Sequence, residues 1–224
     1  MKKFFAVLLA SVLVCSLSAC SGGENSQRTV NVCGWGENID PDLIEQFEKE
    51  TCITVNYQEA DSNETMYARI KQGGTDYDVV VPSDYMIGQM VEEGLLAELN
   101  FDNIPNYSLI DSQYKNLAYD PDNKYSVPYT WGTLGIIYNS TMVGEEIDSW
   151  SVLFNGDYSG SIGMIGNPRD AIGAALMYLG YSVNTTDESQ IREAYQLIAN
   201  AKSQNVYQGF FMDQLYDKME AGET

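Results

Sequence analysis

Histidine is absent from all 224 residues. Its absence removes the commonest general acid–base group, the usual proton shuttle and a favoured zinc ligand together. Basic side chains are scarce as well: 12 Lys and Arg stand against 32 Asp and Glu, a formal net charge of −20. That balance argues against nucleic acid, whose binding rests on Lys and Arg neutralising phosphates, and equally against anionic lipid headgroups. An acidic surface concentrates cationic small molecules around itself, and it also simply keeps an exported protein soluble; charge alone does not separate the two. There are four cysteines, and Cys15 and Cys20 fall within the first twenty residues. Cys33 and Cys52 remain, each expected in a strand region of a parallel sheet that would hold them apart, so two buried thiols are expected rather than a bridge. Long apolar runs are missing too. The run Phe4–Val14 is too short to span a hydrocarbon core of about 30 Å.

What that short run does form is an export signal. Lys2 and Lys3 precede it, and Leu17-Ser18-Ala19-Cys20 follows. Small residues before a cysteine look like a bacterial lipobox, in which the Cys20 thiol is acylated and becomes the new N-terminus. Residues 1–19 are therefore read as the signal peptide and 20–28 as a lipid-anchored, flexible tether. Removing the signal takes two of the 12 basic residues and none of the 32 acids, so the exported chain carries about −22.

From Thr29 the pattern is α/β. Thr29–Cys33 reads as a strand, and Pro41 opens a helix through Glu50 with Leu43, Ile44 and Phe47 on one face. Ile53–Tyr57 is a second strand, Glu64–Lys71 a helix, Asp78–Val81 a third strand stopped by Pro82, and Tyr85–Glu93 another helix. This alternation predicts a parallel sheet covered on both faces. Residues 97–125 are irregular, with Pro105, Pro121 and Asn123 marking turns. Strands are expected at Ser126–Tyr129 and Thr133–Tyr138. A second unit follows, with a strand at Ser161–Ile165 and helices at Arg169–Leu179, Glu188–Ser203 and Met212–Ala221. The expected division is lobe 1 over 29–130 and lobe 2 from 131. With so thin a second sheet, Thr224 reads as a truncation point, with a strand expected to come next.

In open parallel sheets, ligands sit beyond the carboxyl ends of the strands. Two segments of the first unit occupy that place: Trp35-Gly36-Glu37-Asn38 and Pro82-Ser83-Asp84-Tyr85. Each sets an aromatic face beside a carboxylate or hydroxyl. An ammonium ion takes that combination, through attraction to the ring face and charge-assisted hydrogen bonds. Equally, Trp35 caps the core and Glu37 starts a helix; spacing alone leaves both open. In the second unit, Gly166-Asn167-Pro168-Arg169-Asp170 follows a strand and opens a helix, so Asp170 either complements the helix dipole or reaches a cationic ligand. Met66, Met86 and Met90 read as core rather than metal ligands. No metal site or cofactor is expected.

Taken in order, these segments resemble one family, the spermidine/putrescine-binding receptors of bacterial polyamine ABC transporters, from about Thr29 to Thr224. The resemblance is carried by Trp35-Gly36-Glu37, Pro41-Asp42-Leu43-Ile44-Glu45-Gln46-Phe47-Glu48-Lys49-Glu50-Thr51 and Ser62-Asn63-Glu64-Thr65-Met66-Tyr67-Ala68. Tyr77-Asp78-Val79-Val80-Val81-Pro82-Ser83, Pro128-Tyr129-Thr130-Trp131-Gly132-Thr133, Leu179-Gly180-Tyr181-Ser182 and Asn184-Thr185-Thr186-Asp187 continue it. It implies a two-lobed, type II periplasmic-binding-protein-like fold with a hinge, incomplete here in its second lobe, closing around an extended polyamine. By position, Trp35 would stack on the aliphatic chain, Glu37 would lie near an amine, Ser83 and Tyr85 would line lobe 1, and Asp170 would add a carboxylate from lobe 2. Gly36 and Asn38 stand where the family pattern has a threonine and a tyrosine, and Asn167 where it has an aspartate, which leaves amine count and chain length open. The family's central tryptophans and a key aspartate belong further downstream.

The function this implies is a monomeric, lipid-anchored extracytoplasmic receptor that hands polyamine to the permease subunits of an ABC transporter. A receptor of the same fold for another solute is the nearest alternative, weakened because the strand-end loops of the first unit carry no Lys or Arg for an anion. An exported hydrolase using Glu37 and Asp170 as acid and base is a different class; no Gly-x-Ser-x-Gly nucleophile motif supports it. A surface adhesin or scaffold without a ligand is a third. The anchor has its own test: Cys20→Ser is expected to move the protein from the membrane fraction to the soluble fraction. Continued sedimentation with membranes contradicts the lipobox reading.

Overall fold

A computed structural model describes residues 28–36 and 38–224. The expected export signal, Cys20 and Glu37 lie outside the described residues. The chain forms two compact units, one ending at Leu96 and one running Ala97–Thr224. Among the described residues no helix is long and apolar enough to cross a membrane.

The first unit runs β1 (Arg28–Gly34), α1 (Pro41–Thr51), β2 (Ile53–Glu59), α2 (Asn63–Gln72), β3 (Val79–Val80) and α3 (Asp84–Glu92). All pairings are parallel in the order β2-β1-β3, with Val32 opposite Tyr57 on one side and Val79 on the other. Each helix starts where its sequence says it should. The Asp40 carboxylate accepts the Asp42 N–H at 2.9 Å ahead of Pro41, and the Ser62 hydroxyl accepts the Thr65 N–H at 3.1 Å.

Helix α1 ends at Cys52, whose φ of 55° lies in the left-handed region and whose N–H closes on the Glu48 carbonyl at 2.9 Å. This corrects the expectation of two buried thiols. Cys33 is buried and Cys52 exposed, because a C-cap residue turns away from the sheet it precedes. Register keeps the two apart as expected: Arg28 pairs with Ile53, whereas Cys33 pairs with Gln58. The apolar face of α1 is covered only in part, since Ile44 is half-buried but Leu43 and Phe47 remain 56% and 41% exposed.

Cys33, Ala60 and Met66 form the small core, with Ile70, Tyr77 and Val80 against it. Met86 and Met90 are also buried, as core filler should be. Further along, Glu93 ties α2 to the end of α3. It accepts from the Lys71 ammonium at 2.9 Å and the Tyr67 hydroxyl at 2.7 Å, and these bonds, with one from Gln89, hold its carboxyl down at about 2.

The second unit opens with short 3₁₀ turns. There the buried Asp120 carboxylate accepts the N–H groups of Lys124, Tyr125 and Ser126 and the Ser126 hydroxyl, at 2.8 to 3.0 Å. The strands expected at Ser126–Tyr129 and Thr133–Tyr138 do not form: that backbone pairs into neither sheet of the described residues. Strand propensity needs a ladder partner, and here Tyr129, Trp131 and Ile137 stay largely exposed, with the Trp131 ring stacked on Tyr114 at 6.0 Å between centroids.

Regular structure resumes with β4 (Ile162–Ile165), α4 (Pro168–Leu179), α5 (Glu188–Ser203), β5 (Tyr207–Phe211) and α6 (Gln214–Glu220). β4 and β5 pair in parallel, and β5 is a strand the sequence pattern does not announce. The core of this unit gathers Ala171, Ala174, Ala175 and Leu176 of α4 with Ala194, Ile198 and Ala201 of α5. Small side chains on both helices let them approach closely over Ile162, Met164, Val206 and Tyr207.

Tyr207 is the uneconomical member of that core. Its hydroxyl is buried with no hydrogen-bond partner among the described residues, and desolvation pushes its pKa up to about 12. The folded pKa lies above the ordinary 10.0, so this group's contribution is fully present below pH 10 and lost as pH rises towards 12. Tyr207→Phe is expected to stabilise the protein by about 1 kcal/mol at neutral pH, by removing an unmet polar group. It should also flatten the loss of stability between pH 10 and 12 in urea titrations. A less stable variant with the wild-type pH slope contradicts this.

Candidate functional site

The strand order places the candidate site. From β1 the chain crosses to β2 on one side, then returns past β1 to β3 on the other. The connections therefore diverge between β1 and β3, and a crevice at the carboxyl ends opens at such a reversal. The two loops singled out from sequence, after β1 and after β3, flank this point.

Trp35 follows the last residue of β1 and is half-buried. Its carbonyl accepts the Tyr57 hydroxyl at 2.6 Å, so the end of β2 holds the backbone that carries the indole. Gly34 makes that contact possible, because a Cβ there would collide with the Tyr57 hydroxyl.

On the β3 side, Ser83 and Tyr85 share one partner, Asn63. The Asn63 amide donates to the Ser83 hydroxyl oxygen at 3.0 Å and to the Tyr85 hydroxyl oxygen at 2.9 Å. Its carbonyl oxygen accepts the Ser83 N–H at 2.8 Å. The Tyr85 hydroxyl donates in turn to Glu64 at 3.0 Å. Asn63 is completely buried, while Ser83 and Tyr85 are half-buried and Glu64 is exposed. The result is an ordered polar chain leading from the interior to an anion at the surface.

In the second unit, Asn167 and Asp170 sit at the start of α4, beyond β4. Asn167 is buried as the N-cap, and its side-chain oxygen accepts the Arg169 N–H at 3.1 Å. Asp170 is half-buried in the first helical turn, where its charge complements the dipole. The Arg169 guanidinium donates to the Asn184 side-chain oxygen at 3.3 Å. The Gly166 N–H meets the Phe211 carbonyl at 2.7 Å, which draws the β4 and β5 ends together.

Of the residues expected from sequence, then, Trp35, Ser83 and Tyr85 stand at neighbouring strand ends of the first unit, and Asn167 and Asp170 share one helix start in the second. Asn63, Glu64 and Tyr57 were missed as site residues. A signal for Asn63 existed: with Met66 and Ile70 it falls at i, i+3 and i+7, a polar residue on the buried stripe of α2. Among the described residues, no three His, Cys, Asp or Glu side chains are grouped to hold a metal ion.

Hydroxyls, a carboxylate and an indole face are groups that suit a cationic organic solute. Residues 42–222 match the model of a family described as bacterial extracellular solute-binding protein, and the chain belongs to that family. It is 40% identical over 199 residues to the spermidine/putrescine-binding periplasmic protein of Escherichia coli K12, covering 87% of this chain and 56% of that one. A solved structure from Listeria monocytogenes, described as a candidate spermidine/putrescine ABC transporter, superposes with a TM-score of 0.83 at 41% identity, covering 88% of this chain and 61% of that one. A lipoprotein of Treponema pallidum superposes with a TM-score of 0.77 at 31% identity, covering 87% of this chain and 61% of that one. The fold is thus the α/β, parallel-sheet fold of the periplasmic binding proteins. The chain spans a little over half the length of the curated relative, 56%.

Proposed function

We propose that this protein is an extracytoplasmic receptor that captures spermidine or putrescine and delivers it to the permease of an ABC transporter. It binds and releases its solute without chemical change. The observation that carries this reading is that Trp35 and the Asn63–Ser83–Tyr85–Glu64 chain stand at the carboxyl ends of neighbouring strands, β1 and β3, at the reversal point of the first sheet. A polyamine offers alternating ammonium groups and methylene segments. The ammonium groups need acceptors, which the hydroxyls and carboxylates supply, and the methylenes need an apolar face, which an indole supplies. The net charge of −20 draws a polycation towards the surface before contact.

Trp35, Glu37, Ser83 and Tyr85 are the proposed ligand contacts of lobe 1, and Asn167 and Asp170 those of lobe 2. The functional boundary near residue 130 is part of the same proposal and is distinct from the compactness boundary after Leu96. The N-cap bond from the Arg169 N–H takes one lone pair of the Asn167 side-chain oxygen, so the second lone pair is what Asn167 offers an ammonium group. Acylation of Cys20 would hold the receptor at the membrane as a monomer beside the permease.

Titration calorimetry of the full-length protein with spermidine tests the reading. Wild type is expected to release or absorb heat with saturation, and Trp35→Ala to bind at least about tenfold more weakly, the upper part of what a desolvated ring–cation contact supplies. No heat at millimolar spermidine, or equal affinities, contradicts it.

A further inference from the structure

We infer that Asn63 is a positioning residue that sets the orientation of Ser83 and Tyr85 for the solute; the inference rests on the receptor reading above. Its amide orientation is fixed by chemistry. The Ser83 N–H can only donate, so the atom facing it at 2.8 Å is the carbonyl oxygen of Asn63, and the –NH₂ must face the two hydroxyls. Each of its protons then has one acceptor, Ser83 at 3.0 Å and Tyr85 at 2.9 Å. Both hydroxyl oxygens receive a proton from within, so both must direct their own protons elsewhere. For Tyr85 that direction is the Glu64 carboxylate, at 3.0 Å.

A second observation shows that this arrangement is held against a competing local preference. Ser83 occupies the N-cap of α3, where a serine oxygen ordinarily accepts a backbone N–H of the first turn. Here its side chain makes no such bond. The oxygen is committed to Asn63 instead. Asn63 itself is fully buried at the first position of α2, on the stripe that carries Met66 and Ile70 into the core, so packing and its three hydrogen bonds hold its side chain in place. The amide thus acts as a rigid bracket: one group, fixed by packing, holds two half-buried hydroxyls from a different segment. Asn63 does not itself reach solvent, so any effect on binding must pass through Ser83 and Tyr85.

That indirectness supplies the test. Spermidine affinity is measured by calorimetry for wild type, Asn63→Ala, the similarly sized Asn63→Leu, the Ser83→Ala/Tyr85→Phe double variant, and the double variant combined with each Asn63 change. Thermal midpoints are recorded for all. Loss of the bracket is expected to weaken binding at least about tenfold in the wild-type background and less than about twofold once both hydroxyls are gone. Asn63→Leu keeps the volume of the buried site, and so keeps the measurement open if Asn63→Ala does not fold. An equal loss of affinity in both backgrounds, or no loss in the wild-type background, overturns the inference and leaves the receptor reading standing. Absence of spermidine binding by wild type overturns both.

Discussion

The structure of the first unit depends on the parallel pairing of β1 with two neighbours at once. Because β1 is central, β2 and β3 approach it from opposite sides, and their connecting helices must part at its carboxyl end. That single constraint brings Trp35 next to the loop that begins at Pro82. It also places the end of β2 where Tyr57 can hold the Trp35 carbonyl at 2.6 Å. Were β1 an edge strand, the loops after β1 and β3 would not both begin at neighbouring strand ends.

On that frame the site is assembled from polar groups that support one another in series. Asn63 is buried and fully used; Ser83 and Tyr85 are half-buried; Glu64 faces water. Burial increases the strength of such bonds and the cost of leaving any of them unmade. The gradient therefore runs from rigidity inside to charge outside, which is the order a receptor needs if it is to hold a cation without enclosing an unpaired charge of its own. A contrast within the same molecule makes the point. Asp120 is also buried, but its oxygens are taken up by three backbone N–H groups and the Ser126 hydroxyl. It serves the loop and not a solute.

Much of this was legible in the sequence, for identifiable reasons. Pro41 after Asp40, Ser62 before Asn63, and the valine run before Pro82 each mark a helix start or a strand end by local chemistry, and the structure places those elements within a residue or two of the expected bounds. Other features depend on partners that one-dimensional pattern does not reveal. β5 follows α5 through a single left-handed residue, Asn205, and Gly209 interrupts its strand formers Tyr207, Phe210 and Phe211, so its signal is short and broken. Ser126–Tyr138 has strand-like composition but finds no ladder. Cys52 looks like a strand residue and is instead a helix cap. At the site, residue types beyond the strand ends were readable, whereas Asn63 acts through a contact twenty positions away in sequence. Such a contact is visible only after the sheet order is known.

The central claim is that opposite charge and hydrogen bonding at these strand ends capture a polycationic solute. Spermidine affinity measured across a series of NaCl concentrations tests it most directly, because screening acts on charge attraction and leaves apolar stacking nearly untouched. The account predicts affinity that falls steadily as salt is added. Affinity unchanged from low to high salt would contradict it.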